Sequence, residues 1–337
     1  MSLIEGPDNI SVAGIGRMGQ GIAISFAYAG FPVSLIDTEQ REAEAFQTLV
    51  SRCREDIQAE LDSLRNNGLL TQGQDTQIQD RIDFVAHSNA PTALSKASFI
   101  FEAVLEVLEV KQSTYNWLSE FAPPEAIIAS TTSTMLADTL ADFVSNPARF
   151  TNAHWLNPAY LMPLVEVSPS NKTSEETVNQ LKQLLEQIGK VPVVCAASPG
   201  FIVSRLQALV LNEAARLAEE GVATPEDIDK AVKVGFGIRY ATLGPLEFID
   251  WGGGDILYNA SNYLANNIDT ARFTPPKIVE QNMETNRNGL RDGEGFYNYK
   301  NIDITAYRNE KLSSFIGLLK HLDLTPKAEI PFRNKEG

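Results

Sequence analysis

Cysteine is almost missing from this chain. Only Cys53 and Cys195 occur, far apart and in no C-x-x-C pair. That excludes a disulfide-stapled scaffold and a cysteine-based zinc site, no other metal site suggests itself, and two isolated thiols suit a reducing compartment. No apolar run approaches the roughly 20 residues needed to span a bilayer, so no membrane segment is expected. The first residues are acidic and polar, without a basic start or a small-residue cleavage site, so a cytoplasmic protein without a secretory leader is expected. Basic residues are outnumbered, 28 to 43, for a net charge of −15, and they form no stripe, which argues against a nucleic-acid surface. Histidine is scarce as well, with three in all.

What is present begins with glycine. Asn9 to Ala13 reads as a short strand, Gly14-x-Gly16-x-x-Gly19 follows at once, and Ile22, Ala23, Phe26 and Ala27 then repeat with a helical period. Gly14 permits a tight turn, Gly16 lets backbone approach a pyrophosphate, and Gly19 lets helix and strand pack closely. The helix start would offer free N–H groups to the phosphates. A second strand, Val33 to Ile36, ends in Asp37, near the spacing expected of an acid that binds ribose hydroxyls. A carboxylate there repels a 2′-phosphate, so NAD is favoured over NADP. Glu39 to Arg65 reads as a long polar helix, ended by Gly68 and the Thr71–Asp75 cluster. Strands at 83–86, 99–104 and 127–130 and helices at 91–97 and 110–121 continue the alternation. Such alternation implies a Rossmann-type, doubly wound, mostly parallel sheet with helices on both faces.

Ligands in such sheets sit at the carboxyl ends of the strands. Two segments fall there, Glu102 to Glu106 and the hydroxyl-rich Ser130 to Thr134. The hydroxyls could equally be helix caps. His154 follows a β-type run from Arg149 and precedes an Asn157-Pro158 turn, and Glu166 lies within another, Leu164 to Val167. If the two runs are neighbours, imidazole and carboxylate meet, and a histidine held by a carboxylate is a ready acid/base near neutral pH. Alone, a histidine before a turn is as well explained as a satisfied loop residue.

Taken together, these motifs resemble the L-3-hydroxyacyl-CoA dehydrogenase family. The likeness rests on Glu102-Ala-Val-x-Glu106 with Val110-Lys111, Ser130-x-Thr132-Ser133, His154-x-x-Asn157-Pro158 with Glu166, Pro199-Gly200-Phe201-Ile202-Val203, and Asp292 to Tyr297. The resemblance implies an NAD-dependent dehydrogenase acting on a CH–OH group. His154 would take the proton of the substrate hydroxyl, Glu166 would hold His154, and Ser133 would bond the substrate oxygen. Asn157 would fix the nicotinamide or the catalytic loop, and Glu106 and Lys111 would contact the cofactor's ribose side; Lys111 could instead be a solvated helix charge. The chain departs from the family pattern at Ser204, where asparagine is usual, and at Thr131. Both departures fall where substrate is expected, so reaction type carries over better than substrate.

Val191 to Cys195 reads as the last strand, and Ser198-Pro199-Gly200 sets a domain boundary, giving a dinucleotide-binding domain over 1–198 and an all-α substrate and dimerisation domain over 199–337. Helices are predicted from Ile202 to Glu220, from Thr224 to a stop at Gly235-Phe-Gly237, from Gly244-Pro245 to the glycines after Trp251, and, amphipathic, from Thr305 to Leu322, before a loosely ordered tail. The family resemblance implies a homodimer. It also implies a choice of substrate. Coenzyme A-binding members typically carry lysines on the helix after the second strand; here Glu39–Arg65 has none, with seven acids and four arginines, a net of −3. Gly237-Ile-Arg239-Tyr-Ala241 with Gly244-Pro-Leu-Glu247 is more similar to the branch acting on small free hydroxy acids, and Arg239 could clamp a carboxylate or merely join a surface ion pair. A free 3-hydroxy acid is therefore expected. The alternatives are a short-chain 3-hydroxyacyl-CoA such as 3-hydroxybutyryl-CoA, and a cofactor-binding structural protein of the crystallin kind.

Overall fold

The computed structural model of the chain describes residues 9–326, so the N-terminal leader reading and most of the expected loose tail lie outside the described residues. By contact density the chain divides into two compact units, Met1–Val210 and Leu211–Gly337.

The first unit is built on eight strands: β1 Ile10–Ala13, β2 Val33–Ile36, β3 Ile82–Val85, β4 Phe99–Glu102, β5 Ile127–Ser130, β6 Phe150–Trp155, β7 Leu164–Pro169 and β8 Val191–Val194. Their order is β3-β2-β1-β4-β5-β6-β7-β8. Every neighbouring pair is parallel except β6 with β7. Strand order reverses at β1, beside β4, so the crevice at the ends of these strands is where ligands collect in such sheets. Helices α1 Arg17–Tyr28, α2 Ala43–Asn66, α3 Gln74–Asp80, α4 Ala90–Leu94, α5 Leu108–Phe121, α6 Ala137–Ala141, α7 Glu175–Gln187 and the first half of α8 Val203–Glu219 complete it. The middle of the sheet is buried on both faces, while β8 at its edge is exposed. One cluster contains Val12, Phe26, Phe101, Trp155 and Val165, the other Ile100, Tyr115, Ile128 and Phe150. Along β6 the side chains therefore alternate, with Phe150, Asn152 and His154 on one face and Ala153 and Trp155 on the other.

The strands fall within a residue or two of their predicted places. Helix α3 was not predicted; the Thr71–Asp75 cluster, read as a loop, leads straight into it from Gly73 at φ +86°. Contact density divides the chain after Val210, within α8. The first half of α8 stays with the first unit because Ile202 and Val203 donate their backbone N–H groups to Glu166, each at 2.9 Å.

The second unit is helical: α9 Pro225–Ala231, α10 Ile238–Tyr240, α11 Pro245–Gly252, α12 Gly254–Asn267, α13 Thr270–Phe273, α14 Lys277–Glu284 and α15 Ile304–His321. Thr224 caps α9, its hydroxyl accepting from the Asp227 N–H at 3.2 Å. Gly235 and Gly237 do not end that helix. A π-helical turn over Val232–Gly237 carries it into α10, with Gly237 at ordinary helical angles. Glycine weakens a helix but forbids none of its dihedrals, and π-turns often mark functional sites. Gly253, at φ +116°, does separate α11 from α12. Asp250, buried, accepts from the N–H groups of Phe296 and Tyr297, both at 2.9 Å, and so anchors the Asp292–Tyr297 segment. Among the described residues no helix is long and apolar enough to cross a membrane.

Candidate active site

A groove of about 1070 Å³ opens at the carboxyl ends of β1, β2 and β4. Gly14, Gly16, Asp37 and Asn157 all line it. Each glycine answers to a different contact. Gly14 sits at φ +119°, and a Cβ there would lie 2.5 Å from the Ala103 carbonyl oxygen. A Cβ on Gly19 would collide with the Gly14 carbonyl at 1.8 Å. A Cβ on Gly16 would meet no protein atom within 4 Å, so the fold leaves the space beside it open, at the first turn of α1 where free N–H groups collect. Asp37 is buried at the end of β2, accepting from the Glu39 N–H at 3.1 Å and from Arg41 Nε at 2.8 Å. A glycine turn open beside Gly16 and a buried acid after β2, both lining one groove, fit a dinucleotide.

His154 and Glu166 lie on the two antiparallel strands and are register partners. Residues directly opposite in an antiparallel pair project to the same face within side-chain reach. His154 Nδ1 is 2.7 Å from Glu166 Oε2, with His154 4% exposed and Glu166 fully buried. The other carboxylate oxygen, Oε1, accepts both amide N–H groups at the start of α8. The turn that aims them is unusual: Gly200 at φ +73° and Phe201 at φ +47° both adopt left-handed backbone. Phe201 then lies against the imidazole, ring centroids 5.7 Å apart. With Glu166 on Nδ1, the tautomer leaves Nε2 as the acceptor, and Nε2 makes no protein hydrogen bond among the described residues. Such an imidazole can take up a proton, and the carboxylate stabilises the cation that results.

Ser133 stands in the hydroxyl-rich segment after β5, and Glu106 holds that segment in place. Glu106 Oε1 accepts from the N–H of Ser133 at 3.1 Å, the N–H of Thr134 at 3.2 Å and the hydroxyls of Thr132 and Thr134. Burial pushes the Glu106 carboxyl up, but the Thr132 hydroxyl, the Lys111 ammonium and the Thr134 hydroxyl outweigh it and hold it below its ordinary value. Lys111 is no solvated charge. At 1% exposure its ammonium donates to Glu102 at 2.8 and 3.1 Å and lies 3.3 Å from Glu106. Ser204 lies in the first turn of α8, directly after the two amides bound to Glu166. Arg239 belongs to the second unit, where its guanidinium lies 5.6 Å from the Phe248 ring centre.

Two features had no strong signal in the sequence. Glu102, quoted there only as part of a motif, is a fully buried hub that also accepts from Ser130 Oγ at 2.9 Å, from the Val104 N–H at 2.9 Å and from the Tyr115 hydroxyl. Asn152 and Ser168, register partners one step behind the dyad, are buried with side chains that find no protein partner.

Residues 9–198 match the family model described as "3-hydroxyacyl-CoA dehydrogenase, NAD binding domain", and residues 200–299 its C-terminal domain. A 5-formyl-3-hydroxy-2-methylpyridine 4-carboxylate 5-dehydrogenase of Mesorhizobium japonicum is 29% identical over 94% of this chain and 98% of its own. A probable 3-hydroxybutyryl-CoA dehydrogenase of Deinococcus radiodurans is 32% identical over 86% of this chain and 99% of its own. Among solved structures, a 3-hydroxyacyl-CoA dehydrogenase of Archaeoglobus fulgidus superposes with a TM-score of 0.74 at 29% identity, over 94% of this chain and all of that one. With its glycine turn and both family domains in order, the chain belongs to the NAD-dependent 3-hydroxyacyl-CoA dehydrogenase family, oxidoreductases acting on CH–OH groups.

Proposed function

We propose that the protein oxidises the hydroxyl of a small 3-hydroxy acid bearing a free carboxylate, with His154 as acid/base. The 2.7 Å contact of His154 with Glu166 carries the reading. His154 Nε2 takes the proton from the substrate hydroxyl as the C–H bond breaks. Glu166 keeps the proton on Nδ1 and stabilises the imidazolium, and the two α8 amides keep Glu166 in place. The Ser133 hydroxyl donates to the same substrate oxygen. Bound NAD supplies the hydride acceptor. Gly14, Gly16 and Gly19 would shape its pyrophosphate site and Asp37 would take its ribose hydroxyls; Asn157 lines the groove and would fix the nicotinamide or the catalytic loop, and Glu106, held from behind by the buried Lys111, would meet the cofactor's ribose side.

The free acid is supported by the wall that α2 gives the groove, where Asp56 and Glu60 stand beside Arg52 and no lysine occurs. A nucleotide 3′-phosphate would meet carboxylates there. The M. japonicum relative is named for a substrate that carries a ring carboxylate. In this reading Arg239 clamps the carboxylate, and Ser204 gives the substrate pocket a shorter donor than asparagine would. A thioester is the second reading, favoured by the name of the D. radiodurans relative. Exposed Leu206, Leu209 and Leu211 along α8 support a homodimer that covers them. The two free thiols, Cys53 and Cys195, suit the cytoplasm.

The test is NAD reduction with 3-hydroxybutyrate, carnitine, gulonate, a carboxylated aryl methanol and 3-hydroxybutyryl-CoA. A free acid is expected to give the highest kcat/KM, and Arg239→Ala to raise KM for that acid about tenfold with kcat nearly unchanged, the pattern of lost ground-state binding. Turnover of the thioester alone would overturn the reading. NADH binding without oxidation of any substrate would favour the structural-protein alternative.

A further inference from the structure

Beneath the segment that follows His154 lies a cation that pairs with no acid among the described residues. Lys190 is 8% exposed, immediately before β8. Its ammonium donates to the carbonyl oxygens of Ala159 at 2.6 Å and Met162 at 2.9 Å. It also stands 5.5 Å from the centre of the Trp155 ring, next in the chain to His154. Among the described residues its ammonium has no other polar partner: β6 presents the indole, the loop presents the two carbonyls, and the Tyr160 hydroxyl bonds Glu60 on α2. The acids of α7, Glu175, Glu176 and Glu186, make no ion pair with it among the described residues, and burial alone pushes its ammonium down to about 8.

The segment it holds forms one wall of the dinucleotide groove, through Asn157, Pro158, Ala159 and Tyr160. The same segment is pressed against α1, where a Cβ on Gly21 would come within 3.1 Å of the Ala159 side chain. A buried lysine is expensive unless something is gained from it. Two charge-assisted bonds to carbonyls and a cation over an indole fix a loop more firmly than neutral contacts would.

We propose that Lys190 is a positioning residue for the cofactor: its ammonium fixes the Asn157–Met162 segment and so presets the groove wall that meets the dinucleotide. It touches neither cofactor nor substrate and acts through the loop. Above the pH at which it loses its proton, the amine still donates, but more weakly, and the indole contact is gone, so the wall loosens. The proposal depends on NAD binding, which the family establishes, and not on which hydroxy acid is oxidised.

The experiment is NADH fluorescence titration of the full chain without substrate, from pH 6.5 to 9.5, for wild type, Lys190→Met and Lys190→Arg. Wild-type Kd is expected to rise several-fold across an ionisation near 8. Lys190→Met should bind about tenfold more weakly at neutral pH, the order of one net hydrogen bond's worth of loop order, with a flat profile. Lys190→Arg, whose guanidinium stays charged and can reach both carbonyls, should keep the neutral affinity and lose the alkaline rise. A flat wild-type profile, or an arginine variant with the same alkaline limb as wild type, overturns the proposal, and neither outcome depends on the methionine variant folding. Thermal unfolding supplies an opposite sign. Between about 8 and the 10.5 of a free lysine the unfolded chain holds a proton the folded chain has released. Stability attributable to Lys190 therefore rises with pH in that window, while cofactor affinity falls. A merely structural lysine would move the melting curve and leave the binding profile alone.

Discussion

Two carboxylates, Glu102 and Glu166, are fully buried near the ends of strands on the same face of one sheet, and each is paired with a basic side chain. Their partners separate their uses. Glu102 meets a lysine, a phenol, a serine and an amide, so every direction around it is closed. Burial and the neighbouring Glu102 charge hold the Tyr115 phenol well above its ordinary value, so it stays a donor. Glu166 meets two amides and one edge of an imidazole whose far nitrogen has no protein partner among the described residues. A saturated carboxylate organises structure; one that holds a ring by a single edge leaves the opposite edge for chemistry. Burial and charge alone would not have told them apart.

That contrast can be broken by substitution. The largest effect on turnover is expected at His154→Ala: kcat falls by about 10²–10⁴, the usual share of acid/base work, while NADH titration shows cofactor binding retained. Loss of both together would mean that His154 supports the groove and not the reaction. Glu102→Ala should act on the fold. It leaves Lys111 buried with only Glu106, and a loss of about 3–5 kcal/mol in denaturant unfolding is expected for a broken buried pair. A Glu102→Ala protein of native stability would show that the hub is idle. Smallest is Tyr115→Phe, which removes one hydroxyl bond to Glu102 and should cost about 1–3 kcal/mol of stability with kcat unchanged. A tenfold drop in kcat there would join the two carboxylates into one functional unit.

How much of this was legible in the sequence follows from the range of each interaction. The glycine turn, Asp37 and the short strands are local patterns, and they fall where predicted. The dyad needed only two neighbouring strands, and pairing His154 with Glu166 followed once β6 and β7 lay side by side. Glu102 and Lys190 were out of reach for a different reason. Their partners are carbonyls, amides and hydroxyls scattered over β5, α5 and the loop before β7, and no spacing in the chain encodes such a set. Lys111 could not be told from an exposed helix charge, because only packing shows that its face of α5 turns inward. Gly235 and Gly237 were misread because glycine signals freedom of the backbone, and here that freedom is spent inside a widened helical turn.

Gly16 carries a practical consequence. Away from its own chain neighbours, a methyl group at that position would meet no atom of the fold within 4 Å, so the packing of the chain does not itself require a glycine there. An alanine at that point is expected to melt as the wild type does and to bind NADH more weakly, which a melting curve beside an NADH titration checks.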